Sequence, residues 1–118
     1  MSNLPPSLEN QVKRFQELQA QLQSVLLRKQ QWQLNLTEYK NAVKELEKIG
    51  EKDTVYRIVG PVMIEMHKDR VLSELNSSIE LIEAKIKTLE RQEKLLNKEL
   101  RELQRQISAK VAGLRESK

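Results

Sequence analysis

The segment Val55-Tyr56-Arg57-Ile58-Val59-Gly60-Pro61-Val62-Met63-Ile64-Glu65-Met66 interrupts an otherwise helical chain. Its two five-residue runs are rich in branched and aromatic side chains, which favour extended backbone. Gly60-Pro61 between them is a turn signal. The reading is a β-hairpin over about residues 54–67. Apolar residues fall on both faces of its strands, yet a lone two-stranded hairpin is marginal in water and leaves two open edges. Such a hairpin is expected to join others in a shared sheet or β-barrel. That makes Val55, Tyr56, Ile58, Val59, Val62, Met63, Ile64 and Met66 the candidate oligomerisation residues.

On the N-terminal side a heptad register runs back from Leu46. One seam row holds Leu8, Phe15, Leu22, Lys29, Leu36 and Val43, and the other holds Gln11, Leu18, Val25, Trp32, Tyr39 and Leu46. All but Lys29 and Gln11 are apolar, a strong coiled-coil pattern. Pro5-Pro6 precedes the helix, Ser7 is the expected N-cap, and Gly50 is expected to end the helix in a left-handed conformation. The first helix is thus placed over about residues 7–49.

A second register follows Asp69, the expected cap of a helix over about residues 69–113. Its rows are Leu72, Leu75, Ile82, Leu89, Leu96, Leu103 and Lys110, and Ile79, Ile86, Glu93, Leu100, Ile107 and Leu114. Each helix has about 40 residues and would measure ~60 Å. Two helices of similar length joined by a short insert should fold back antiparallel. If facing residue numbers add to about 122, the polar seam residues collapse into two layers, Lys29 against Glu93 and Gln11 against Lys110. The expected fold is therefore mainly α: a long antiparallel two-helix coiled-coil hairpin with one inserted β-hairpin, in a single domain over residues 1–118.

The remaining numbers narrow the function. The chain has 118 residues, 32% charged and 3% aromatic, with no cysteine. Disulfides and thiolate metal sites are excluded, and the absence fits a reducing compartment. Residues 1–20 lack the apolar core of a secretory signal, and no apolar run approaches the ~20 residues that span a bilayer. A cytoplasmic protein is expected. His67 is the sole histidine, so neither a histidine metal pair nor a catalytic triad is available. No Gly-rich phosphate loop is present. Neither an enzyme nor a cofactor is expected.

Several stretches resemble the β-class subunits of the prefoldin family, archaeal ones in particular. They are Asn3-Leu4-Pro5-Pro6, the segment from Gln19 to Gln31, Val55-Tyr56-Arg57-Ile58-Val59-Gly60, and Lys87-Thr88-Leu89-Glu90-Arg91-Gln92-Glu93. The similarity covers nearly the whole chain. Gly60-Pro61 departs from many archaeal members, whereas eukaryotic subunits of the class carry it. The single hairpin also separates the chain from the α class, which has two. The resemblance implies a hexamer of two α and four β subunits with a central β-barrel. Its coiled coils hold unfolded polypeptides near their tips and pass them to a group II chaperonin without ATP.

In this register both chain ends lie at the tip, which carries Leu4, Leu8, Val12, Phe15, Ile107, Val111 and Leu114, the candidate client-binding set. Leu8, Phe15, Ile107 and Leu114 also have a plainer role filling the seam. Val12 and Val111 lie off it and are expected to be the more exposed. The Gln11–Lys110 layer should loosen the seam there. Off-seam Leu27, Leu34, Leu81 and Leu95 are scattered surface residues or the lining of an inner surface.

Residues 84–118 hold ten Lys/Arg against five Asp/Glu. Much of that excess is one stripe, Lys87, Arg91, Lys94, Lys98, Arg101 and Arg105. It reads as a solvated face, a dock for an acidic chaperonin surface, or a phosphate-binding arm. Interspersed carboxylates and missing aromatics disfavour nucleic acid. Two competing readings of the whole chain remain: a coiled-coil scaffold and a basic nucleic-acid-binding arm.

Overall fold

The computed structural model describes residues 4–116. In chain order they form α1 (Pro6–Glu47), β1 (Val55–Val59), β2 (Val62–Met66) and α2 (Lys68–Glu116). The described residues cluster into two compact units. One joins α1 up to Lys29 with α2 from Thr88 onward, and the other is Gln30–Lys87.

In the first unit, α1 begins at Pro6 rather than after Ser7. The Pro5 carbonyl accepts from the amides of Leu8 and Glu9, both at 3.0 Å. Proline is suited to the first helical position, because its φ is preset and its missing N–H would have had no partner. Ser7 is thereby drawn into the first turn. The core comes from the seam: Leu8, Leu18, Val25 and Leu89 are buried, with Phe15, Leu22, Leu96, Leu100, Leu103 and Ile107 half-buried beside them.

Lys29 Nζ donates to Glu93 Oε1 at 2.6 Å, and both side chains are mostly covered. The pair obeys the register expected from the sequence. The hydrogen bond to Glu93 raises the Lys29 pKa above its ordinary 10.5, desolvation opposes the rise, and the charges of Glu93 and Glu90 add to it.

The second polar layer is built differently. Gln11 and Lys110 do not bond each other, and each reaches one turn along. Gln11 Nε2 donates to Gln106 Oε1 at 3.0 Å, and Lys110 Nζ donates to Ser7 Oγ at 3.4 Å. Gln11 Oε1 is left buried with no hydrogen-bond partner. Val12 and Val111 are half-buried, not exposed, while Lys110 and Leu114 are exposed. Val12 and Val111 sit at positions that flank the seam, which the apolar stripe of a packed helix also includes.

In the second unit Leu46, Ile82 and Ile86 are buried, with Leu36, Tyr39, Val43, Leu72, Leu75 and Ile79 half-buried around them. Lys40 lies 3.8 Å from Glu83, in the alignment that also pairs Lys29 with Glu93. The Lys85 ammonium stands 4.2 Å above the Trp32 ring, a cation–π contact.

α1 ends without a left-handed residue, since Gly60 alone has positive φ among the described residues. Two short turns, Lys48 to Glu45 and Ile49 to Leu46, tighten the last residues after Glu47. The Ile49 carbonyl accepts from Lys68 Nζ at 2.6 Å, and the Gly50 amide donates to Asp53 Oδ2 at 2.9 Å. These side chains satisfy the groups that a left-handed glycine would otherwise serve. A Cβ at Gly50 would sit 3.3 Å from Asp53 Oδ2, so the aspartate side chain would have to shift slightly to admit it.

α2 is likewise started by His67, whose carbonyl accepts from Arg70 and Val71. Asp69 therefore lies in the first turn rather than at the cap, with its charge favourably placed near the helix N-terminus.

The hairpin pairs Val55 with Met66 through to Val59 with Val62. Gly60 has φ 56° and Pro61 follows with φ confined near −65°. That sign pattern matches a type II′ turn, whose twist suits a two-residue hairpin.

Two outcomes follow. Lys29→Leu and Glu93→Leu should each lower the melting temperature by leaving one half-buried charge unpaired. The double variant should recover most of the loss, because an apolar pair replaces the ion pair. The folded pKa of Lys29 is raised, so its contribution is fully present below pH 10.5 and is lost as pH rises through the folded value. The stability gap between wild type and Lys29→Leu should narrow only in that alkaline range. Separately, Gly60→Ala should destabilise by about 1–2 kcal/mol in chemical denaturation. The added methyl meets nothing within 4 Å, so the cost is backbone strain alone. Gly60→Asn should cost less, since asparagine tolerates positive φ.

Candidate assembly and client-binding surfaces

The hairpin is the most apolar exposed element of the second unit. Ile58 is 73% and Met63 63% exposed on one face, beside exposed Tyr56. Val59, Val62 and Ile64 are exposed on the other. Of the expected oligomerisation residues, Val55 is already buried within the unit and Met66 is half-buried. Fully covering one such aliphatic side chain is worth about 1.5–3 kcal/mol, so six uncovered together are a large unmet driving force. The sheet has two strands only, and both outer edges lack a strand neighbour among the described residues.

An ion pair ties this hairpin to α2. Arg57 Nη1 donates to Glu74 Oε2 at 2.7 Å, and Arg70 lies 3.6 Å from the other oxygen of the same carboxylate. Arg57, in the middle of β1, is thus held to α2, and Lys68 of α2 holds the Ile49 carbonyl in the connection that precedes β1. Heptad periodicity does not reveal these contacts, because they join residues 17 and 19 apart in sequence across an irregular connection. The available signal was the opposite charge of Arg57 and Glu74.

The client-binding set lies within the first unit but is not uniformly displayed. Leu4 and Leu114 are exposed, at 39% and 41%. Val12, Phe15, Ile107 and Val111 are half-buried, and Leu8 is the most buried of all at 1%. Leu8 fills the seam. The unpartnered Gln11 oxygen lies among these residues, and an unsatisfied buried acceptor costs about 1–3 kcal/mol. That is a local weakness in the seam which the sequence signalled only as a polar layer.

The off-seam leucines are all exposed: Leu27 and Leu95 in the first unit, Leu34 and Leu81 in the second. The stripe Lys87, Arg91, Lys94, Lys98, Arg101 and Arg105 is exposed throughout. Among the described residues no group of three or more His, Cys, Asp or Glu is placed to hold a metal ion. No described helix is long and apolar enough to cross a membrane.

Comparison with known proteins gives this arrangement a family. The model of the prefoldin subunit family matches residues 9–113. The prefoldin subunit beta of Pyrobaculum islandicum is 42% identical over 117 residues, covering 99% of this chain and 94% of the relative. That of Thermococcus kodakarensis is 40% identical over 109 residues, covering 92% and 93%. The crystal structure of the prefoldin beta subunit from Thermococcus strain KS-1 superimposes with a TM-score of 0.86 at 40% identity, covering 92% of this chain and 96% of that one. Two helices flanking a single β-hairpin, matched over nearly the full length in sequence and structure, place this chain in the prefoldin family as a β-type, non-enzymatic chaperone subunit.

Proposed function

We propose that the chain is one of several subunits in an ATP-independent holdase. In this reading it assembles through the hairpin with an α-type partner and further β copies, as two α and four β. It holds unfolded polypeptides through apolar residues near the chain ends, and it hands them to a group II chaperonin in the cytoplasm. The observation that carries the reading is the hairpin's six exposed apolar side chains, which no other described residue covers. Family membership supplies the subunit and chaperone context.

Client contact begins at Leu4 and Leu114, the exposed members of the set. Val12, Phe15, Ile107 and Val111 join when the seam opens around the poorly satisfied Gln11 layer, and Leu8 only if the opening is complete. Apolar contact is non-directional, so a surface of this kind accepts many unrelated sequences. Such opening needs little free energy where an acceptor is already unsatisfied.

Two outcomes test the two halves separately. Ile58→Lys with Met63→Lys should abolish assembly with an α-type partner in mass measurement while leaving far-UV helicity intact. Assembly at wild-type mass would contradict the hairpin's role. Removing residues 1–7 and 112–118 should preserve assembly and abolish suppression of client aggregation. Gln11→Leu should stabilise the chain by about 1–3 kcal/mol and weaken suppression by holding the seam closed. Full suppression by the trimmed chain would contradict the client site. A wild-type assembly that suppresses no aggregation would favour a purely structural scaffold.

A further inference from the structure

The exposed face of α2 within the first unit carries an arrangement that helix stability does not explain. Arg91, Lys94, Lys98, Arg101 and Arg105 recur at steps of three and four, so they share one side of the helix over about 21 Å. All five are exposed. Neighbouring like charges at these spacings repel and destabilise a helix. Here Arg105 pairs with Glu102, whereas Arg91, Lys94, Lys98 and Arg101 pair with no carboxylate among the described residues.

These cations are not a bare charge stripe. Together with Glu102 they surround Leu95 on the open surface of the helix, where Leu95 is 60% exposed. Arginine and lysine stems add apolar length beside it. The face therefore offers a row of positive charge at helical spacing with an apolar patch beside it.

We propose that this face docks an acidic amphipathic helix of another protein. A partner helix carrying carboxylates at three- and four-residue steps repeats at the same axial spacing as the cations. An apolar side chain beside those carboxylates would cover Leu95. The face fits a nucleic acid less well. A phosphate backbone has no use for the leucine, Glu102 repels it, and no aromatic residue in α2 is available for base stacking. A second copy of this chain presents the same positive face and carries net charge +4, so it is not the complement.

The test uses the full chain and a fluorescein-labelled helical peptide with glutamates at three- and four-residue steps and leucines flanking them. A scrambled peptide of equal composition and an oligothymidylate of equal charge are the controls. Fluorescence anisotropy should show binding of the patterned peptide that weakens steeply as salt rises. It should weaken about tenfold or more for Arg91→Gln/Lys98→Gln/Arg101→Gln, because charge-assisted contacts are lost. Glutamine keeps helix propensity close to that of arginine and lysine, so circular dichroism should be unchanged. Leu95→Ser leaves every charge in place and should weaken binding about threefold, through lost apolar burial. Wild-type affinity in both variants would overturn the proposal. So would equal binding of the scrambled peptide, which would reduce the face to bulk charge, or tighter binding of oligothymidylate, which would make it a nucleic-acid surface.

Discussion

The governing feature of this molecule is a hairpin whose apolar side chains the described residues leave exposed. The apolar residues of α1 and α2 are largely consumed in the seam between the helices, where Leu18, Val25, Ile82, Ile86 and Leu89 are buried. Among the described residues, Tyr56, Ile58, Val59, Val62, Met63 and Ile64 stay exposed. Two strands alone are marginal, yet these are pre-shaped. Gly60 sets the turn, Arg57 is tied to Glu74, and Lys68 holds the Ile49 carbonyl. Individually such surface ion pairs contribute little to stability. Their effect is positional: they hold an exposed apolar element in one orientation, and any association through it would lose less conformational entropy.

The two polar layers in the seam of the first unit differ in how well they are satisfied. Lys29 and Glu93 satisfy each other at 2.6 Å. A slip by one heptad would bury each against an apolar partner, so the pair selects a single alignment. Gln11 keeps one buried oxygen without a partner, so its layer resists opening less. A matched layer that fixes register and a mismatched one near the chain ends give one helical pair both alignment and a place to yield.

Much of this was legible in the sequence, for reasons that differ by element. The seam was readable because a repeat over many turns averages out local noise. The Lys29–Glu93 contact followed because antiparallel pairing turns register into arithmetic. The helix ends were misread at Ser7, Gly50 and Asp69, where intrinsic capping preference was overridden by neighbours. Pro5-Pro6 preset the first turn, Lys68 and Asp53 met the groups that Gly50 was expected to serve, and the His67 carbonyl opened α2. Val12 and Val111 were expected to be the more exposed and are half-buried, because positions flanking a seam are partly covered too. The Gln11 to Gln106 and Lys110 to Ser7 bonds depend on how far long side chains reach, which residue spacing does not encode.

The central claim is that the hairpin is completed by other subunits. Amide hydrogen exchange across residues 55–66 tests it most directly, comparing the isolated chain with the chain mixed with an α-type partner. Strands paired only with each other open easily, whereas strands built into a larger sheet exchange through far rarer openings. The account expects fast exchange at these amides alone and slowing by orders of magnitude on mixing, while the amides of residues 18–25 change little. Equal protection of residues 55–66 in both samples, with the chain remaining a monomer, would contradict it.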